Sequence, residues 1–206
     1  MYVLLMPRLR TETREARRNH ILDAAARCFS RLGASRTTMN DILTEAGVSA
    51  GAAYVHFRSK EDLIEEMTRR STTRDVAGIE ACAVPGDMAA TITAFIDGAY
   101  DDWRQPNAHD DAHLDVSVWA EALGNPRVAN ALRESARSDL AALTNMLAVG
   151  AGERRRPQRY AGAAQVLAAL LLGLVVIWHI DSDLDPSTVE PEVRALVAAL
   201  STGGVP

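Results

Sequence analysis

The stretch that most constrains this chain is Thr37 to Lys60, TTMNDILTEAGVSAGAAYVHFRSK. Apolar side chains recur in its first part at the spacing of one helix face, at Met39, Ile42, Leu43 and Ala46. Thr38 with Asp41 three residues later is a capping-box variant that would begin this helix. Gly47 would end it, since glycine reaches the left-handed conformation without a Cβ penalty. The pattern predicts a short helix followed by a tight turn.

A second short helix is predicted directly after this turn. Ser49 would cap it, and it would run to about Phe57, before Ser59 caps a third helix. Its first residues are all small, namely Ala50, Gly51, Ala52 and Ala53. Helix, glycine-bearing turn and helix form the arrangement that presents a recognition helix to the DNA major groove. The small side chains would allow close approach to a base-pair edge or a phosphate.

Candidate DNA contacts follow from this arrangement. Tyr54, His56 and Lys60 carry polar or cationic tips suited to phosphate oxygens. Ala50 and Ala52 offer only methyl contacts, for example to thymine. The complete set of predicted DNA-binding residues is Arg36, Thr37, Thr38, Asn40, Ser49, Ala50, Gly51, Ala52, Tyr54, His56 and Lys60.

The stretch TTMNDILTEAGVSAGAAYVHFRSKEDL resembles the DNA-binding signature of the TetR family of transcriptional regulators. The matching positions are Thr38, Ile42, Ala46, Gly47, Val48, Ser49, Gly51, Tyr54, His56, Phe57, Ser59, Lys60 and Leu63. Family members often carry a lysine or arginine where Ala50 stands and a larger side chain where Ala53 stands. The resemblance implies an all-α fold, with an N-terminal three-helix helix-turn-helix head and a larger C-terminal helical body for ligand binding and dimerisation.

Charge is distributed unevenly along the chain. The net charge is −5, yet residues 1–60 hold ten Lys or Arg against five Asp or Glu. The basic part fits DNA binding by one end only. We expect a flexible basic arm over residues 1–14, a helix-turn-helix domain over 15–60 and a ligand-binding and dimerisation domain over 61–206. The basic run over residues 8–20 would be either a solvated helix face with a tail or an arm that contacts the DNA backbone or minor groove.

The last two predicted helices are unusually apolar. Residues 161–180, AGAAQVLAALLLGLVVIWHI, are long enough to span a bilayer, although Gln165 and the following DSDLD favour a helix buried in protein. A four-helix interface with a second chain, through residues 159–181 and 188–201, would bury both helices. The last two long helices have this role in the TetR family. We therefore expect a homodimer with two DNA-binding heads on a near-palindromic operator, and no membrane insertion.

The family resemblance also implies a small-molecule effector that shifts the helix beginning at Lys60 and releases the DNA, with repression as the family default. The predicted lining residues of its pocket are Phe95, Tyr100, Trp103, His113, Trp119, Glu121, Met146 and Trp178. Trp119 with Glu121 would suit a cationic ligand through ring-face and carboxylate attraction.

Two other classes of protein compete with this interpretation. His109 and His113 have the i, i+4 spacing of a metal-dependent enzyme, but no third ligand is apparent. A membrane-anchored DNA-binding protein would use residues 161–180. We expect neither, and predict no catalytic residue, metal or cofactor. Two cysteines form no disulfide framework, and the apolar start is too short for a signal-peptide core, so a cytoplasmic location is expected.

Overall fold

The computed structural model describes residues 6–181, 183 and 186–201, and this part of the chain contains helices and no strand. The prediction of an all-α fold is confirmed. Residues 1–5, which raised the question of where the native chain starts, lie outside the described residues. The α-helices are α1 (Met6–Leu32), α2 (Met39–Ala46), α3 (Ala50–Tyr54), α4 (Lys60–Ala81), α5 (Met88–Trp103), α6 (Ala108–Ala122), α7 (Pro126–Gly150), α8 (Ala161–Ile180) and α9 (Glu190–Ser201).

The first helix is longer than the sequence pattern predicts. It begins at Met6, so most of the segment predicted as a flexible arm over residues 1–14 is helical. The segment contains three leucines and three arginines, which favour helix, and Pro7 lies in the first turn, where a missing N–H costs nothing. Helix α3, by contrast, ends at Tyr54 rather than near Phe57, and the chain then turns so that Phe57 is buried.

The chain divides into two compact units, each made of two stretches of sequence, and the predicted domain boundary at residue 60 stays a prediction. The first unit comprises Met1–Thr68 together with His113–Ala131. It contains the three-helix head, the start of α4, the end of α6 and the start of α7. Its buried apolar side chains include Ile21, Leu22, Ala25, Cys28, Phe29, Ile42, Ala46, Ala53, Phe57, Leu63 and Ile64.

The second unit comprises Arg69–Ala112 together with Leu132–Pro206. Its core is formed by α5, α7, α8 and α9, with Ile92, Phe95, Ile96, Tyr100, Leu143, Met146, Leu147, Ala164, Leu167, Val193 and Val197 buried. Gly150 allows α7 to approach the buried Thr91 closely, because a Cβ at this glycine would lie 2.7 Å from the Thr91 hydroxyl. That hydroxyl is already fixed by the Val84 N–H at 2.9 Å and the Asp87 carbonyl at 2.8 Å.

Helix α8 has an apolar surface that the described part of the chain leaves uncovered. Val166, Leu172, Ile177 and Ile180 are exposed, and so is Leu196 on α9. Within the part of the chain that the structure describes, Pro157–Trp178 is the one segment long and apolar enough to cross a membrane, and only 11% of its most apolar window is buried. Length and composition alone are weak evidence for membrane insertion.

Candidate nucleic-acid interface

The predicted caps of the helix-turn-helix are present. The Thr38 hydroxyl accepts the Asp41 N–H at 3.2 Å, and the Asp41 carboxylate accepts the Thr38 N–H at 2.8 Å, which completes the capping box. The hydrogen bonds from Thr38 lower the pKa of Asp41. Gly47 has a φ of 61°, and its N–H reaches the carbonyls of Leu43 and Thr44. These local interactions fix where α2 begins and ends.

The turn is also tied to α1 and α3. The Ser49 hydroxyl accepts the Ala52 N–H at 3.4 Å and so caps α3. The Nε2 atom of His20 on α1 lies 2.8 Å from the carbonyl oxygen of Ala46, the last residue of α2. Arg18 donates to Glu66 at 2.6 Å and its guanidinium lies 4.9 Å above the Phe57 ring. The position of α3 is therefore set by contacts within the head.

An exposed surface runs along the start and one side of α3. Ser49, Ala50, Gly51 and Tyr54 are exposed, as are Thr38 and Asn40 at the start of α2. Arg36 is exposed beside them, with Nε donating to the Leu32 carbonyl at 2.8 Å. Ala52 and His56 are half-buried. Most of the predicted DNA-binding residues thus lie on the surface of the head, and their contact with DNA stays a prediction.

A group of positive charges surrounds the end of α3. Burial, and then the positive charges of Arg14, Arg17 and Arg18, lower the pKa of His56 below its usual 6.5. His56 is consequently neutral at pH 7, and the excess positive charge around it is suited to a phosphate. Arg14 and Arg17 are exposed and belong to the basic run that the sequence left open as a DNA contact, whereas the exposed Arg58 was not among the predicted contacts. Arg14 and Arg17 come close to His56 only because of how α1 packs, which the sequence does not show. Arg58 is two residues from His56 in the sequence and could have been predicted as a contact.

Two predicted DNA contacts are engaged inside the protein. Thr37 is 2% exposed, and its hydroxyl donates to the Gly33 carbonyl at 2.8 Å. Lys60 donates through Nζ to the Ala34 carbonyl at 2.7 Å and lies 3.4 Å from a carboxylate oxygen of Glu121. Both side chains therefore stabilise the head, and their roles as DNA contacts stay predictions.

The pair between Lys60 and Glu121 belongs to a polar network that joins α4 to the corner between α6 and α7. The Arg127 guanidinium donates through Nε to one Glu65 oxygen at 2.5 Å and through Nη2 to the other at 2.6 Å. Nη2 also donates to Asp62 at 2.6 Å. These partners raise the pKa of Arg127, with Glu65 the larger cause. We call residues 121–127 the α6–α7 corner, and it is held to the first turns of α4.

The predicted effector-pocket residues fall into both compact units. Phe95, Tyr100 and Met146 are buried in the core of the second unit. In that unit Trp103 packs edge-on against Tyr100, with ring centroids 4.8 Å apart, and Trp178 packs edge-on against His109 at 5.7 Å. The remaining three residues, His113, Trp119 and Glu121, are half-buried in the first unit. Because Glu121 already has a cationic partner in Lys60, a ligand amine would have to compete for it. This set of residues stays a prediction.

An open groove of about 250 Å³ lies elsewhere in the second unit. Its walls are Leu140, Ala141, Thr144, Asn145, Pro157, Gln158, Ala161 and Gln165. None of these residues was predicted to bind a ligand, because their sequence pattern is only that of a helix and a polar loop. As for metals, the described residues contain no group of three His, Cys, Asp or Glu side chains that could hold an ion.

Comparison with known protein families agrees with this geometry. Residues 21–67 match the family of bacterial regulatory proteins of the tetR type, and residues 103–202 match the C-terminal domain of BetI-type transcriptional repressors. The transcriptional regulator BetI of Escherichia coli O17:K52:H18 is 31% identical over 82% of this chain and 84% of its own length. The repressor KstR2 of Rhodococcus jostii is 33% identical over 54% of this chain, and that match spans only 52% of KstR2.

Solved structures share the fold. A transcriptional regulator from Rhodococcus sp. Rha1 superposes with a TM-score of 0.75 at 19% identity, covering 92% of this chain and 99% of its own. SmeT, in a complex with triclosan, superposes with a TM-score of 0.67 at 20% identity, covering 91% and 90%. The family and these relatives are transcriptional regulators, not enzymes. With a head capped as its signature predicts and a relative matched over most of both chains, this protein belongs to the TetR family of transcriptional regulators.

Proposed function

We propose that this regulator is a repressor that binds a near-palindromic operator as a homodimer and leaves it when a small molecule binds the C-terminal half. The proposal of DNA binding rests on the exposed start of α3, where Ser49, Ala50 and Gly51 are accessible to solvent. Exposed Arg14, Arg17 and Arg58 lie on the same head and would neutralise flanking phosphates. Repression is supported by relatives that are named repressors.

Dimerisation follows from the size of the recognition surface and from α8. A single five-residue helix reads too few base pairs to select one site in a genome, whereas two heads read two half-sites. The exposed apolar side chains of α8 and Leu196 of α9 offer a surface that a second copy would bury. The segments proposed for the interface are residues 159–181 and 188–201. The proposal includes a cytoplasmic location, because a regulator of this kind must reach the DNA.

Control by a small molecule requires a path from the ligand to the head. Helices α4, α6 and α7 each continue from one compact unit into the other. The α6–α7 corner is joined to α4 by Arg127 and by the pair of Lys60 with Glu121. A ligand that prefers a different arrangement of α6 or α7 would therefore move the start of α4 and change the spacing of the two heads. The SmeT structure with triclosan shows a protein of this fold holding a small molecule.

The experiment that tests this function is selection of bound genomic fragments by the purified protein at two salt concentrations. We expect enrichment of one short palindrome, with affinity falling steeply as salt rises. Tyr54→Ala and Arg58→Ala should abolish or weaken the selection, while Arg137→Ala, an exposed arginine on α7, should not. Loss of a phosphate contact should reduce the slope of log affinity against log salt by about 1.

A failure is informative because folding and occupancy are checked separately. Far-ultraviolet circular dichroism reports whether the helices are intact, and native mass spectrometry reports whether a ligand has co-purified. A folded, ligand-free protein that enriches no sequence at low salt would refute operator binding.

A further inference from the structure

Two large apolar side chains are exposed side by side at the end of α3. Tyr54 is 46% exposed and Val55 is 66% exposed. Among the side chains that the structure describes between residues 14 and 67, no other large apolar one is exposed. The tyrosine has a hydroxyl that can reach a phosphate, but the valine side chain has neither a donor nor an acceptor. Neither folding nor phosphate binding therefore explains why Val55 is exposed.

Val55 lies on the side of α3 that is open to solvent. Its backbone is still helical, with φ −66° and ψ −27°, and the Phe57 N–H donates to the Ala53 carbonyl at 3.0 Å as in one more helical turn. Because residues four apart lie on the same face of a helix, Val55 shares a face with the exposed Gly51. Ala53 and Phe57 are buried on the opposite face. A single exposed valine is common on protein surfaces, but this one continues the recognition face.

Positive charges flank this end of α3. Burial, and then the positive charges of three arginines of α1, lower the pKa of the neighbouring His56. The exposed Arg58 follows three residues after Val55. An apolar side chain among arginines is complementary to a DNA groove, where phosphates form the two edges and the base edges lie between them. The surroundings of Val55 therefore favour DNA as its partner.

The major groove offers one apolar group to such a side chain, the 5-methyl group of thymine. The other groups of the base edges are hydrogen-bond donors and acceptors, from which a valine would remove water without supplying a new partner. Cytosine has a hydrogen where thymine has the methyl group, so an apolar contact also distinguishes the two pyrimidines. A β-branched side chain has few rotamers to lose, and Val55 consequently presents its methyl groups at little entropic cost.

We propose that Val55 contacts the 5-methyl group of a thymine in each half-site and thereby favours thymine at that position. This inference rests on the proposed operator binding and names a base that the head selects. Ala50 carries a single methyl group and Ala52 is half-buried, so both extend less far from the helix than Val55 does. Burial of one methyl-sized group corresponds to about a fourfold change in affinity, which leaves the other bases of the half-site free to vary.

The test is operator binding by the full-length protein, measured by fluorescence anisotropy on the duplex that the wild type selects from genomic fragments. Each thymine is replaced in turn by deoxyuridine at the equivalent positions of both half-sites, which removes the methyl group and keeps the base pair. We expect one position per half-site at which the wild type loses affinity about 5- to 20-fold for the two changes together. Val55→Ala should bind the unmodified duplex more weakly by a similar factor and should not respond to deoxyuridine at that position.

A second substitution in the DNA separates the methyl group from the rest of the base. Replacing the same thymine–adenine pair by cytosine–guanine should weaken binding by the wild type. Replacing that cytosine by 5-methylcytosine should recover part of the loss, because a methyl group returns to the same place in the groove. Val55→Ala should not distinguish the two forms of cytosine.

A matched control variant separates this effect from the loss of any exposed valine. Val84 is 38% exposed and lies in the second compact unit, outside the head. Val84→Ala should leave the affinity for every one of these duplexes unchanged. Circular dichroism confirms that both alanine variants are folded.

Three results would overturn the proposal. The wild type could bind every deoxyuridine duplex as it binds the unmodified one, which would mean that no thymine methyl group is contacted. The response to deoxyuridine could persist in Val55→Ala, which would assign the contact to another residue. Val55→Ala could also weaken binding to all duplexes by the same factor, which would place the side chain against the sugar–phosphate backbone. A folded wild type that selects no sequence would instead refute operator binding itself, and this failure is distinct from the first three.

Discussion

Replacing Lys60 by methionine tests whether this lysine holds the head together. Its Nζ donates to the Ala34 carbonyl at 2.7 Å and lies 3.4 Å from Glu121. The two charged side chains are only 15% and 13% exposed. Methionine keeps most of the apolar stem and removes the charge. Among the described residues, the carboxylate then keeps the Asn125 amide at 3.5 Å as a partner.

The expected loss follows from this geometry. Two unit charges at this separation attract by about 5 kcal/mol at an effective dielectric constant near 20, and desolvation offsets much of that gain. Removing one partner leaves the other charge half-buried, so we expect Lys60→Met to lower the free energy of unfolding by roughly 2–4 kcal/mol. Adding Glu121→Leu should recover at least half of the loss, because the unpaired charge is removed as well.

The assay is urea unfolding followed by circular dichroism, at one protein concentration for all four members of the double-mutant cycle. A loss below about 0.5 kcal/mol in Lys60→Met, or no recovery in the double variant, would refute a structural role for the pair. The folded double variant also isolates any role in DNA binding. If Lys60 contacts a phosphate, the salt slope of operator binding falls by about 1 in that variant, and otherwise it is unchanged.

Three further predictions are measured by the same unfolding assay. Gly150→Ala should lower the free energy of unfolding by about 1–3 kcal/mol, because the added Cβ would meet the Thr91 side chain. Gly78→Ala, which has open space around it, should raise the free energy of unfolding by up to about 1 kcal/mol. Equal effects of the two substitutions would contradict the close approach of α7 to Thr91. Burial, then a neighbouring carboxylate, raise the pKa of Asp139 from 3.8 to about 6, so its charge opposes folding as pH rises through that range. Asp139→Asn should therefore stabilise by about 1–2 kcal/mol at pH 7 and little at pH 4, and the reverse order would be evidence against it. Thr38→Ala should cost about 1 kcal/mol and Thr38→Ser much less, unless the cap contributes nothing.

The parts of the head that sequence predicts well are those fixed by neighbours in the chain. Thr38 and Asp41 are three residues apart and form the cap wherever the helix lies. Gly47 has the left-handed conformation that its place after a helix requires. The same holds for the apolar run of α8, because the structure gives this helix the predicted bounds, residues 161–180. Local chemistry is sufficient in each case.

What sequence could not predict depends on how distant segments pack. Glu121 was predicted to face a ligand, and only the position of the α6–α7 corner beside α4 brings it to Lys60. Thr37 has a hydroxyl that could contact DNA, yet the loop after α1 directs this side chain inward, where it is 2% exposed. The roles within the basic run of α1 could not be read from pattern either: Arg14, Arg17 and Arg18 all lower the pKa of His56, and Arg18 also packs on the Phe57 ring.

The small side chains at the start of α3 have a consequence for how operators of this protein should vary. Ala50, Gly51 and Ala52 present methyl groups and backbone in place of the forked donors that discriminate guanine or adenine. For the proposed dimer on its operator, we therefore expect selectivity to depend mainly on the width and flexibility of the groove and on the distance between the half-sites. Natural operators should accordingly tolerate base changes within each half-site and resist insertions or deletions between them. A search for target genes should therefore fix the distance between the half-sites and allow the bases within each half-site to vary.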